Sequence, residues 1–178
     1  PPTSEGNELS WLRLLRSRRV GPGTFRRLMA EHAHDAEAAL AALPRIARAA
    51  GLTAYAPCPA EAAERELAAG RRAGAVPIFL DHPAYPPALA AAEEAPPMLW
   101  ARGETGLLAR PAVALVGARN ASSLGLRMAR AMASGLGEAG LVCVSGLARG
   151  IDGEAHRATL ETGTIAVVAG GVDVVYPR

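Results

Sequence analysis

Lysine is absent. All 19 basic side chains among the 178 residues are arginine, for which a GC-rich coding bias is the simplest cause. The physical consequence holds whatever the cause: any phosphate contact here is made by a planar, bidentate guanidinium that can also stack on bases. Aromatics are scarce, with two Trp, three Tyr and two Phe, so base stacking has few platforms. The two cysteines, Cys58 and Cys143, stand far apart, one beside prolines and one inside a strand-like run, and make neither a disulfide framework nor a zinc spacing. Long apolar runs are missing too. Half of the chain is hydrophobic, yet much of that is alanine, and no stretch nears the ~18 residues of a membrane-spanning helix. Leu9 to Leu15 is interrupted by Arg13, which argues against a targeting peptide. We therefore expect a cytoplasmic protein of one medium domain or two small ones.

Charge is never dense. The net charge is only +2, divided as +3 over residues 1 to 50, −3 over 51 to 109 and +2 over 110 to 178. The middle segment is the poorest place for a polyanion, and affinity for one has to come from a focused pocket instead of a diffuse basic surface.

From Glu8 to about Ala73 the pattern is helical, with Gly and Pro punctuation at Gly21-Pro22-Gly23, Pro44, Gly51 and Pro57. This reads as a small all-α domain over residues 1–74. Within it, Val20-Gly21-Pro22-Gly23-Thr24 resembles the glycine hairpin of helix-hairpin-helix modules; we prefer a helix C-cap glycine followed by Thr24 as the next N-cap. A different texture starts at Val76. Val76 to Leu80 and Met98 to Ala101 read as short strands around a proline-rich stretch. A βαβαβ series follows: strand Ala112 to Val116, helix Ser122 to Ala139, strand Leu141 to Val144, helix Asp152 to Glu161, strand Thr164 to Val168. Such alternation implies a parallel sheet with helices on its faces. Leu124, Met128, Met132 and Leu136 recur every four residues and form one stripe of the first helix, leaving Arg127, Arg130 and Ser134 on another face.

Glycine-bearing turns follow these strands: Gly117-Ala118-Arg119-Asn120-Ala121-Ser122, then Ser145-Gly146-Leu147-Ala148-Arg149-Gly150, then Gly170-Gly171-Val172-Asp173. Loops at the carboxyl ends of parallel strands lie side by side and form the crevice where ligands bind. Arg119, Arg149 and the terminal Arg178 are expected to converge there, with helix N-termini at Ser122 and Asp152 adding positive dipole ends. The three turns together are read as one anion site.

The usual occupants lack their marks. The first turn is not G-x-G-x-x-G, and the second strand ends in Ser145-Gly146 where a ribose-binding acid would stand. No G-K-[ST] occurs. Ala169 to Asp173 keeps two glycines of a nucleotide-hydrolase loop but lacks its Thr and Glu. Asp152 and His156, four apart, have no third partner for acid-base or metal work, and an N-cap aspartate with a histidine packed one turn on is the better reading. Ser145 has no nucleophile-elbow context. No cofactor or metal is expected.

Three stretches carry a family resemblance: Val116 to Ser122, then Ser145 to Asp152 with Ala155-His156, then Gly170 to Asp173 with Tyr176-Pro177. With Tyr85 to Leu89, Ala95 to Trp100 and Gly103 upstream, they resemble the DNA-processing protein A (DprA/Smf) family across nearly the whole chain. The resemblance implies a SAM-like helical domain over 1–74 and an α/β extended Rossmann domain over 75–178. That sheet has helices on both faces and is cut short where the chain stops at Arg178. It implies a non-catalytic protein that binds and protects single-stranded DNA, loads the RecA recombinase during natural transformation and homologous recombination, and dimerises through the Rossmann domain. For the DNA pocket it implies Arg119 with Asn120, Gly117, Ser122, Ser145 and Gly146, and Arg178 after the Tyr-Pro; Arg149 either joins them or braces its loop. The alternative is a Rossmann-type hydrolase binding a nucleotide monophosphate in the same crevice.

Overall fold

The computed structural model describes residues 1–2 and 4–174. They fall into two compact units, one from Pro1 to Ala101 and one from Arg102 onward.

Four helices open the first unit: α1 (Glu5–Arg16), α2 (Pro22–Glu31), α3 (Ala36–Ala49) and α4 (Ala60–Arg72). Ser4 caps α1 by accepting from the Asn7 amide, and Asp35 caps α3 by accepting from Glu37 and Ala38. Their apolar faces bury Trp11, Leu12, Leu14, Phe25, Leu28 and Leu43 in one cluster. At two points the chain departs from its sequence pattern. Helix α2 starts at Pro22 with Gly21 as N-cap, which leaves Thr24 inside the first turn; proline suits that position because its missing N–H has no intrahelical partner to lose. Helix α3 continues through Pro44, with Leu43 and Ala47 buried on either side of it.

The chain then forms an antiparallel pair, β1 (Val76–Phe79) and β2 (Met98–Ala101), joined through the single-turn α5 (Pro87–Ala90). A lone two-stranded ribbon cannot bury its own apolar face. Phe79 and Met98 therefore enter the helical core, where the Phe79 ring meets Trp11 edge-on at 5.6 Å between centroids. Trp100 Nε1 donates to Glu66, which also accepts two bonds from Arg16. The compact division accordingly falls after Ala101, although the sequence texture changes near residue 75.

A 3-10 turn (Thr105–Ala109) leads the second unit into β3 (Ala112–Ala114), α6 (Ser123–Glu138), β4 (Val142–Ser145), α7 (Ile151–Ala158) and β5 (Thr164–Ala166). The strands make a parallel sheet in the order β3-β4-β5, with Val113 opposite Cys143 and Val144 opposite Ile165. This is the βαβαβ series anticipated from the sequence, with β3 and β5 shorter than expected and β4 of the expected length, shifted by one residue. Helices α6 and α7 pack on each other and on β4, as two successive crossovers of one hand require. Glu154 on α7 clasps them: it accepts from Arg130 of α6 and from Arg157, and the Arg130 bond holds its carboxyl below the usual carboxylate range.

The stripe on α6 is turned the other way from what its spacing suggests. Leu124, Met128 and Met132 are exposed, and the buried positions are Ala129, Ala133 and Gly137. Small residues win the inner face because α6 approaches its neighbours too closely for anything larger. A Cβ on Gly137 would stand 2.3 Å from Thr162 Oγ1 and 2.9 Å from Thr162 Cβ, and no rotamer of Thr162 moves the second atom. Gly137→Ala is expected to lower stability by about 1–3 kcal/mol in urea unfolding, the cost of overpacking. Met132→Ala, on the outer face, should change it by less than about 0.5 kcal/mol.

Candidate functional site

The turns that follow β3 and β4 meet at the carboxyl edge of the sheet, beside the end of β5, and specific bonds hold this edge together. Ile151 N–H donates to the Ala118 carbonyl at 3.2 Å, and Val167 N–H donates to the Ser145 carbonyl at 2.8 Å. Gly150 presses on the backbone of the first turn with φ 85°: a Cβ there would lie 2.2 Å from Ala118 O and 2.7 Å from Arg119 O. Both the left-handed backbone and the close approach demand glycine.

Asp152 holds the arrangement together. Its side chain is buried, with 5% of the residue exposed; Oδ1 accepts from Gly117 N–H at 3.2 Å and Oδ2 from Gly146 N–H at 3.1 Å. One carboxylate thus fastens the turn after β3 to the turn after β4, and a buried carboxylate tolerates its site only with such partners. The expected role of Asp152 as N-cap is corrected. Gly150 is the N-cap and α7 begins at Ile151, so the carboxylate faces the neighbouring turns instead of its own helix. Docking of Gly150 and Ile151 on Ala118 shifts the helix start ahead of Asp152.

The residues expected at the site divide into frame and surface. Ser145 is only 2% exposed and donates its hydroxyl to the Leu115 carbonyl at 2.7 Å, strapping β4 to β3. Gly117 and Gly146 have given their N–H groups to Asp152, so those amides are not open to a ligand. Arg119, Asn120 and Arg149 are exposed, and none of the three has a side-chain hydrogen bond or ion pair among the described residues. Ser122, also exposed, caps α6 by accepting from the Gly125 amide at 3.2 Å. Arg178 lies outside the described residues. The N-terminal ends of α6 and α7 open on this edge and add positive potential to it.

Asp152 and His156 do not bond each other. His156 instead receives the Leu147 amide on Nε2 and meets Thr164 Oγ1 through Nδ1. Sequence reasoning missed Thr164 and the left-handed Leu147, at φ 58°, because neither carries a local signal; only the four-residue spacing of Asp152 and His156 pointed to this part of the helix. In the first unit a cavity of about 570 Å³ lies beside Trp11, His34 and Asp35.

Residues 77–178, more than half of the chain, match the family model described as DNA recombination-mediator protein A. The chain belongs to that family. Residues 5–69 match a second model, described as a DprA-like N-terminal HHH domain, which bears on the α1–α2 turn where the hairpin reading was set aside. The DNA processing protein DprA of Streptococcus pneumoniae is 46% identical over 96 residues, covering 53% of this chain and 34% of that protein. The DNA processing protein DprA of Bacillus subtilis is 37% identical over 117 residues, with 64% and 39% covered. Protein Smf of Escherichia coli is 40% identical over 103 residues, with 57% and 28% covered. The X-ray structure of DprA from Streptococcus pneumoniae superposes with a TM-score of 0.57 at 38% identity, over 65% of this chain and 41% of that one. The matched stretch is therefore well under half the length of these family members.

Asp152→Asn keeps the shape of the clamp but turns one acceptor into a donor facing an N–H. It should cost about 1–3 kcal/mol, as a buried amide left unsatisfied does, and speed hydrogen exchange at either Gly117 or Gly146. Unchanged stability and unchanged exchange at both amides would remove Asp152 from this role.

Proposed function

We propose that the chain binds single-stranded DNA along the crevice edge of its parallel sheet, without catalysis. In the same reading the family member protects incoming DNA, hands it to a RecA-type recombinase during natural transformation and homologous recombination, works in the cytoplasm and pairs as a homodimer through the Rossmann-like domain. The observation that carries the proposal is the pair of exposed guanidinium groups, Arg119 and Arg149, on two turns that one carboxylate locks together. Locked turns present charge in a fixed pattern, which suits a repeating phosphate backbone.

Two further features support it. Residues 102–174 contain no Phe, Trp or Tyr, so the described part of this unit has no aromatic platform for reading bases, which favours sequence-independent gripping of the backbone; Tyr176 lies outside the described residues. The low net charge points the same way, toward a focused pocket. The names of the relatives, DNA processing proteins, agree with a DNA ligand. Frame and surface then have separate duties: Ser145, Gly117, Gly146 and Asp152 set the geometry, and Arg119, Asn120, Ser122 and Arg149 meet the strand.

A nucleotide-monophosphate hydrolase would use the same edge with a smaller ligand. Titration with a short oligothymidine and with nucleoside monophosphates separates the two: saturable monophosphate binding with product release, and no binding of the oligomer, overturns the DNA reading. Arg119→Ala should weaken oligothymidine binding and reduce the slope of log affinity against log salt by about 0.7, the share of one single-strand phosphate contact. A fluorescence anisotropy series with an unchanged slope would refute the assignment of Arg119.

A further inference from the structure

His156 belongs to a chain of hydrogen bonds that specifies its tautomer. Thr164 Oγ1 donates its proton to the Cys143 carbonyl at 3.2 Å, so towards His156, 2.7 Å away, it can only accept. Nδ1 must then carry the ring proton. Nε2 is left with its lone pair, and it accepts the Leu147 amide at 3.3 Å. That bond reaches the residue of the loop most in need of restraint, since Leu147 sits at φ 58°, in a region leucine rarely adopts. Two residues further along stands Arg149.

We infer that His156, in its neutral Nδ1–H form, is a positioning residue for this edge: it holds the segment from Leu147 to Gly150, and Arg149 with it, in the binding conformation, and releases it on protonation. A protonated ring carries N–H at both nitrogens, and Nε2 then points a donor at the Leu147 donor. Nothing in the chain can absorb the reversal, because Thr164 is already committed to Cys143.

The groups around the ring agree with this. Burial, the larger influence, pushes His156 below the usual histidine range, and the Asp152 carboxylate one turn earlier on α7 pulls it back in part. On β4 the titratable neighbour is Cys143, whose thiol burial pushes up and so keeps neutral. On β5 the facing residue is Thr164, which does not titrate. Arg149 in the loop is exposed, and on α6 Arg130 is engaged with Glu154. With the folded value lowered, neutral His156 supports the fold above about pH 6.5, the ordinary value, and that support is lost as pH falls through the lowered one.

The DNA readout rests on the proposed function; the lock itself does not, and the experiment keeps them apart. In the ¹⁵N-labelled chain, His156 should show protonated Nδ1 and unprotonated Nε2 at pH 7.5. The protection factor of the Leu147 amide, its exchange measured against the intrinsic rate at each pH, should fall from pH 7.5 to 5 by more than those of neighbouring sheet amides. Oligothymidine affinity at fixed ionic strength should fall about tenfold over that range, about 1.4 kcal/mol. Added positive charge on the protein would by itself predict the opposite, tighter binding in acid. His156→Gln can accept from Leu147 and donate to Thr164 without titrating, and should leave affinity flat with pH. An Nε2–H tautomer, a Leu147 amide equally protected at both pH values, or a glutamine variant with the wild-type pH profile overturns the inference. Absence of oligothymidine binding at every pH refutes the DNA reading alone, and the tautomer and the Leu147 exchange still decide the lock.

Discussion

Everything at the sheet edge depends on the Asp152 carboxylate accepting the Gly117 and Gly146 amides. The two turns come from different strands, about thirty residues apart. A carboxylate buried at this point can be satisfied only if both turns come to it, so the cost of burying a charge becomes the force that aligns them. Gly150 makes the same demand sterically, by lying against Ala118 and Arg119 where no side chain fits. The frame is polar and glycine-rich because the work is done by backbone groups at short range.

On the proposed reading, the exposed arginines count for more than the net charge. A surface carrying only a small excess of positive charge attracts a polyanion weakly at ordinary ionic strength. Two guanidinium groups held on coupled turns, beside two helix N-termini, concentrate what charge there is. The price is a set of buried polar groups, Ser145, Asp152, Glu154, His156 and Thr159, each of which needs a partner and has one. Membership of the DNA recombination-mediator protein A family places this construction in proteins longer than the stretch matched here.

Much of the architecture was legible beforehand. The βαβαβ alternation needed only the short apolar runs and the glycine turns between them, and local patterns of that kind survive folding unchanged. The α6 stripe was misleading for a definite reason: Leu124, Met128 and Met132 are large, and hydrophobic spacing weights size, whereas the inner face of this helix is chosen by how near Thr162 comes to Gly137. Thr24 and Pro44 were misjudged in the same way, since a cap or a break is assigned from one residue while the helix obeys the burial of its neighbours.

By itself the sequence determined the alternation of strand and helix, the absence of cofactor fingerprints, and the position of the arginines on glycine turns, because each of these is a property of residue order over a dozen positions or fewer. The tertiary structure alone decided which of those residues face outward. Ser145 is buried and the Gly117 and Gly146 amides are committed to Asp152, while Asp152, which looked like a helix cap, is the clamp between turns. Hydrogen-bond partners across thirty residues depend on how closely two loops approach, and that distance is set by packing of the whole sheet, not by any local run of amino acids.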